Sequence, residues 1–236
     1  MNVDIAGETL QLLSERAVYW VRMQTLLVAD AHFGKAAAFR THGVYVPEGT
    51  TTGALARLDG MLESTGATRI VFLGDLLHAR EGVRPDVVAT IAMWRTKRSS
   101  VTMTLVRGNH DKHAGDPPAE LDITCCDAPL LDPPFAFCHV PCDVDGHYVL
   151  AGHVHPCVML TGPARQRDCL PCFWFGKRRG VLPAFGEFTG LAPVQPDVDD
   201  QILVTTDDGV LPAAVAQRPS ANSTGRITQR NAARRR

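Results

Sequence analysis

The 236-residue chain carries 24 basic and 25 acidic residues for a formal net charge of −1, with 45% hydrophobic residues, 21% charged residues and a mean hydropathy of −0.04. These values exclude a wholly disordered chain, and the lack of any run of about 18 apolar residues excludes a helical membrane span. The length admits one large α/β domain or two small ones.

The first 24 residues alternate apolar and polar positions ("VDIAGETLQLL", "AVYWVRM"), which predicts a hairpin or pair of strands before a strand at Thr25–Ala29. The opening "MNVDIAGETLQ" lacks the basic and apolar regions of a secretion signal, so the expected home is the cytoplasm. Residues 33–43 are ambiguous between helix and coil. A helix is expected from Thr50, capped by Thr50 or Thr51, with Leu55, Leu58 and Leu62 on one face and Gly66 as its stop. "RIVFLGD" reads as a strand buried on both faces. Pro85 is placed to open a second helix, in which Val87, Ile91 and Trp94 recur at helical spacing up to Lys97 and Arg98. "VTMTLVRGNHD" supplies the next strand and loop, and this order argues an α/β core with parallel pairing.

After residue 115 short β-like pieces ("FAFCHV", "HYVLAGH", "CVMLTG", "CFWF", "GVLPAF", "ILVTT") alternate with Pro and Gly, and helical periodicity ends. No flexible linker separates the halves, which predicts one domain with two sheets over residues 1–211. Residues 212–236 hold Arg218, Arg226, Arg230, Arg234, Arg235 and Arg236 and no acid, and read as a disordered basic tail. The other 18 basic residues face all 25 acids, so the body has a balance of −7. The seven cysteines lack a disulfide-framework spacing and are expected to be reduced and structural, "CLPC" at 169–172 included.

Chemistry gathers at the predicted strand tips. "TLLVADAH" ends in Asp30 and His32, "IVFLGD" in Asp75, "TLVRGNHD" in Asn109, His110 and Asp111, "FAFCH" in His139, and "VLAGHVH" in His153 and His155. Asp30 and His32, with Ala31 between them, would point to the same side if strand geometry continued. Taken singly each is an ordinary turn or core residue; five metal-capable tips in one chain are not accidental, because such tips converge on one edge of an α/β sheet. Two divalent cations about 3.5–4 Å apart can clamp both oxygens of an in-line phosphoryl displacement and supply a nucleophile at neutral pH. A donor set of imidazole, carboxylate and amide oxygen without thiolate favours manganese, with iron or zinc as alternatives.

These blocks resemble the calcineurin-like metallophosphoesterase superfamily over residues 25–155. The resemblance implies a four-layer α/β/β/α sandwich. It assigns one metal to Asp30, His32, Asp75 and His155 and a second to Asp75, Asn109, His139 and His153, with Asp75 bridging and Asn109 also near substrate. His110 would contact the phosphate or protonate the leaving oxygen. "ADAHFGKAAAFR", "VPEGTT", "FLGDLLHAR", "GHVHP", "PCFWF" and "VLPAFGEFTG" are more narrowly similar to the bacterial ligase-associated DNA damage response (PdeM-type) endonucleases. That family implies manganese-dependent phosphodiester cleavage of DNA, beside a DNA ligase, a helicase and an exonuclease.

Protein phosphatases of the superfamily carry Asp and Arg three and four residues past the bridging aspartate, where this chain has His78 and Ala79, with Arg80 next. "GDLLH" looks like the recombination nucleases instead, making His78 a second candidate for phosphate contact or leaving-group protonation. Lys35, Arg40 and Arg80 follow metal-bearing tips and are candidate backbone contacts, as is "GKRRG" at 176–180. The acidic body argues for single-stranded or looped DNA over a long duplex footprint. The alternatives are a small-molecule phosphoesterase acting on nucleotides or cyclic phosphates, and a catalytically idle scaffold in a repair complex.

Overall fold

Alternation in the first 24 residues resolves into three strands rather than two. The computed structural model describes residues 1–41, 43–46, 49–78, 82–161 and 167–215. Strands β1 (Asn2–Ile5), β2 (Glu8–Leu13) and β3 (Ala17–Trp20) form an antiparallel meander that delivers the chain to β4 (Thr25–Val28). From there the chain crosses over through helices. α1 (Lys35–Thr41) and α2 (Thr50–Thr65) precede β5 (Arg69–Phe72), α3 (Pro85–Lys97) precedes β6 (Thr102–Val106), and α4 (Asn109–Ala114) precedes β7 (Thr124–Cys126). The first sheet runs in the order β1 to β7, antiparallel through β4 and parallel from β4 onward.

The second sheet is built from the C-terminal half of the chain: β8 (Leu130–Asp132), β9 (Phe135–Phe137), β10 (Tyr148–Ala151), β11 (Pro156–Thr161), β12 (Arg167–Phe175), β13 (Arg179–Val181), β14 (Ala192–Pro193), β15 (Gln201–Thr206) and β16 (Gly209–Pro212). Its order is β14-β11-β12-β13-β10-β9-β8, with β15 also on β12 and β16 on β15. Within it β9, β10 and β13 are parallel, so the tips of β9 and β10 leave on one edge.

Period-two burial on both faces holds the layers together. Leu26, Val28, Ile70, Phe72, Met103 and Leu105 face the helices and meet Leu55, Leu58, Leu62, Ile91 and Trp94. Leu27, Val71, Leu73 and Val106 face the other way and meet Phe135, Phe137, Leu150, Phe173 and Phe175 of the second sheet. Trp20 closes this inner layer edge-on to Phe135, with ring centroids 5.0 Å apart. Thus the α/β sandwich expected from the sequence is present. Among the described residues, the outer face of the second sheet carries a small cluster of Val158, Cys172, Val194, Ile202 and Val204, with Ala213 and Val215 against it.

Local expectations fare unevenly. α2 stops at Gly66, whose left-handed backbone (φ 68°) lets its N–H reach Leu62 O at 3.0 Å. Its N-cap is Gly49 with no side-chain cap, because Thr50 and Thr51 already lie inside the helix and Thr52 Oγ1 donates to Gly49 O. The expectation of seven reduced thiols is corrected: Cys157 and Cys169 form a disulfide, brought together by the antiparallel register of β11 and β12. Cys172 of the same CLPC run is free and buried. Pro212, the first residue of the expected tail, pairs with Leu203 at the end of β16. Residues 216–236 and Arg80 lie outside the described residues. No helix among the described residues is long and apolar enough to cross a membrane.

Candidate metal centre

Five strand tips deliver the seven ligands that the sequence nominates. β4, β5 and β6 deliver Asp30 and His32, Asp75, and Asn109; β9 and β10 deliver His139, and His153 and His155. Two groups result, Asp30 with His32 and His155, and Asp75 with His139 and His153, each with ligand atoms within 4.8 Å of one another. Asn109 Oδ1 lies 2.9 Å from His139 Nε2. Asp75 Oδ2 stands between the groups, 3.4 Å from His139 Nε2 and 3.9 Å from His32 Nε2.

The convergence depends on backbone turns that strand geometry does not supply. β4 ends at Val28, before the motif, so an extended strand is not what brings Asp30 and His32 together. Asp30 (φ 53°) and His32 (φ 47°) are both left-handed, as are Asp75 (52°), His153 (69°) and His155 (52°). Non-glycine residues avoid this region at a cost of about 1–3 kcal/mol each, and such strain concentrates where a site over-determines it. Hydrogen bonds lock the turns: Asp30 N–H donates to Gly74 O, His32 N–H to Asp75 O at 2.9 Å, and His153 N–H to Asp30 Oδ2 at 2.9 Å. Gly74 and Gly108 stand where the His139 ring and the Asp75 carboxylate pass, and a Cβ on either would collide with them.

The donor set fits divalent cations, because neutral imidazoles, carboxylates and an amide oxygen turn their unshared electron pairs toward one another. His139 Nδ1–H donates to Leu73 O at 3.0 Å, which leaves Nε2 a lone pair. That lone pair faces Asp75 Oδ2, Asn109 Oδ1 and, at 3.1 Å, His153 Nδ1. In the other group His155 Nδ1–H donates to Gly190 O at 2.8 Å, so its Nε2 lone pair faces Asp30 Oδ1 at 3.3 Å. Asp30 Oδ1 is buried and accepts no hydrogen bond.

Titration follows the same logic. Burial raises the Asp75 carboxyl, against the pull of His139 and the His110 N–H. Burial first, then Lys35 and the neighbouring histidines, pushes His32 down to about 2. Burial also lowers His153. Burial pulls His155 down too, but its partners Asp30 and Gly190 O outweigh that and raise it, a proton standing in for the cation.

His110 and His78 sit at the edge of this centre and form a third group with His32. The His110 N–H donates to Asp75 Oδ1 at 2.9 Å, and its Nδ1–H donates to His78 O at 2.8 Å, which leaves Nε2 as the nitrogen not used in that bond. The two rings stack with centroids 5.2 Å apart. Lys35, on the first turn of α1, is half-buried and lies in the field of Asp30 and Asp75; burial lowers its ammonium and the two carboxylates oppose that. Arg40 lies elsewhere, in a crevice with Thr50, Thr51, Thr52 and Asp86, and its Nη1 donates to Val46 O at 3.3 Å.

Two positioning elements escaped the sequence reading. Asp111, buried, accepts from four backbone N–H groups: Asp75 (2.7 Å), Gly108 (2.8 Å), Leu76 (3.0 Å) and Leu77 (3.4 Å). It ties the β5 tip to the β6 tip, and the signal was its place in Gly-Asn-His-Asp. Residues 185–192 lace two other tips: Phe185 N–H donates to Ala29 O, Gly186 N–H to Asp30 O and Ala192 N–H to His155 O. Only the "GEFTG" text hinted at them.

The chain is similar to the Pseudomonas putida nuclease MPE, with 40% sequence identity over 90% of this chain and 99% of that one, and a TM-score of 0.80. A second solved structure, Yfce, a phosphoesterase from E. coli, is 16% identical over 79% of this chain and 90% of that one, with a TM-score of 0.38. No protein-family model and no curated protein matches the chain. On the identity and coverage it shares with that nuclease, the chain belongs to the family of the Pseudomonas putida nuclease MPE, with a metallophosphoesterase sandwich as its fold.

Proposed function

We propose that the protein is a two-metal phosphodiesterase that nicks DNA, single-stranded or looped in preference to long duplex, with manganese as its metal and iron or zinc as the alternatives. The observation that carries this reading is Asp75, whose one oxygen lies within 3.9 Å of imidazoles from both ligand groups. When bound, the two cations supply positive charge against the phosphoryl transition state and a nucleophile at neutral pH. Asp30, His32, Asp75 and His155 would hold one, and Asp75, Asn109, His139 and His153 would hold the other.

The protein's own groups complete the reaction. His110 is fixed by its hydrogen bond to His78 O, and its Nε2 would deliver the proton to the leaving oxygen. His78 stacks against that ring and fixes its tilt. Lys35 grips a non-bridging phosphate oxygen, and Arg80 is a further candidate contact to the DNA backbone. The nuclease activity named for the 40% identical relative supports nucleic acid as the substrate.

The reading extends to a cytoplasmic role in DNA repair, within the ligase-associated (PdeM-type) family and beside a DNA ligase, a helicase and an exonuclease. The motif blocks from Ala29 to Gly190 support that part. Residues 1–211 would be the catalytic domain, and the arginine tail would raise the local concentration of DNA.

Metal-stripped protein reloaded with manganese should hydrolyse a bis-aryl phosphate and nick circular single-stranded DNA, and Asp75→Ala should abolish both. Turnover of an aryl monophosphate with the circle left intact would overturn the assignment. His110→Ala should keep its metal and lose about 10²–10⁴ in rate; metal content falling to the Asp75→Ala level would make His110 a ligand instead.

A further inference from the structure

A cavity of about 810 Å³ opens beside the metal centre, and His153 belongs to both. Its other walls lie in the second sheet. Val154, Trp174 and Val181 line it with carbon, and Lys177 and Arg179 line it with positive charge. The cations come from the tight turn between β12 and β13, closed by Gly176 N–H donating to Arg179 O at 2.8 Å. Arg178 of the same turn is drawn toward Asp143 and Asp145, at 3.7 and 3.6 Å. Lys177 and Arg179 are exposed, and no ion pair engages either among the described residues.

Trp174 is held rather than loose. Asp200 Oδ2 accepts its indole N–H at 2.7 Å and the Asp197 N–H at 2.9 Å, which fixes the ring at the cavity wall. Asp197 and Asp199 also line the cavity and offer carboxylate acceptors. A fixed aromatic ring, aliphatic walls, two cations and a few acceptors match one nucleotide: the base takes the ring and the acceptors, the phosphate takes the cations. The same carboxylates would repel a polyphosphate.

We propose that this cavity is a subsite for the unpaired nucleotide next to the phosphodiester being cut. Because His153 is common to cavity and metal centre, a base seated there leaves its neighbouring phosphate at the metals. A base still paired in a duplex cannot enter, which gives a physical origin for preferring single-stranded or looped DNA. The proposal rests on the nuclease reading and adds to it a base-binding site built by the second sheet.

The test uses the manganese-loaded full chain and three chromogenic esters: bis(4-nitrophenyl) phosphate, and the 4-nitrophenyl phosphate esters of thymidine at the 5′ and at the 3′ position. One thymidine ester should exceed the bis-aryl ester in kcat/KM by about tenfold, and Trp174→Leu should remove that advantage. In Lys177→Ala/Arg179→Ala, both changes at exposed positions, oligothymidylate cleavage should lose about 1.4 from its log–log salt slope, about 0.7 for each lost contact to a single strand. Thymidine esters no better than the bis-aryl ester, or an unchanged salt slope, would overturn the subsite while nicking of circular DNA kept the nuclease reading. An intact circle would overturn both.

Discussion

The two halves of the metal centre differ in what holds them. Asp30 and His32 are buried at 0% and 4% exposure, and main-chain hydrogen bonds to Gly74 O and Asp75 O and from Gly186 N–H fix their backbone. Asn109 and His153 are exposed, and His153 also faces the cavity of the second sheet. The buried half is built into the fold, so its cation should behave as a structural element as well as a catalytic one. The open half meets solvent and, on the proposed function, substrate, so its cation should exchange. Asp30→Asn should cut DNA nicking by at least about 10²-fold at any manganese concentration. His153→Ala should weaken metal affinity yet recover to within about tenfold of the native rate at high manganese. A manganese titration of both variants reads this contrast, and equal rescue would erase it.

Between the halves runs Asp111, which accepts from backbone N–H groups at the β5 and β6 tips and belongs to none of the candidate ligand groups. Asp111→Ala removes the acceptor of four backbone N–H groups around Asp75 and Gly108. Leaving such donors unmet in a buried place costs about 1–3 kcal/mol, and solvent entry limits the sum, so a loss of about 3 kcal/mol is expected in urea unfolding. Asp111→Asn keeps one acceptor oxygen and should lose less than half of that.

Metal removal sharpens the contrast through pH. In chelated protein His32 stays neutral down to about 2, whereas the unfolded chain takes up a proton near the ordinary histidine value of 6.5. The unfolded state therefore binds more protons in that window, and stability is lost as pH falls through it. His155 acts oppositely, since its raised value gives stability below the unfolded value that is lost as pH rises through the folded one. Comparing His32→Gln with the native chain isolates the first effect: from about pH 7 to pH 5 the native urea midpoint should fall more steeply than the variant's. Parallel falls would mean that His32 is hydrated in the apoprotein.

Much of this was legible because burial and chemistry share one punctuation. Each candidate ligand follows an apolar run, so Asp30, Asp75, Asn109, His139 and His153 announce themselves as strand tips. The helices at Thr50–Thr65 and Pro85–Lys97 were readable from Leu and Ile spacing and from their Pro and Gly boundaries. What failed depends on register and long-range contact. The Cys157–Cys169 bond follows from how β11 pairs with β12, which a count of seven cysteines cannot give. The left-handed turns at Asp30 and His32 were invisible because neither residue is a glycine; carbonyls from distant strands impose them. Helix α1 was ambiguous because "KAAAFRT" is too short to show a period.

The smallest effect separates two cations that the sequence treats alike. Lys35 and Arg40 both follow the Asp30–His32 tip, and both lie on α1. Five residues apart on a helix of about 3.6 residues per turn, their side chains leave the axis about 140° apart and cannot serve one phosphate together. Lys35 is the one in the field of Asp30 and Asp75, while Arg40 donates to Val46 O in another crevice. Lys35→Ala should therefore lower kcat/KM on DNA by about tenfold, as the loss of a charged phosphate contact does. Arg40→Ala should stay within about twofold. A larger loss at Arg40 would mean that DNA crosses the outer face of α1 and α2, so that substrate reaches the metals over the helical layer instead of from the second sheet.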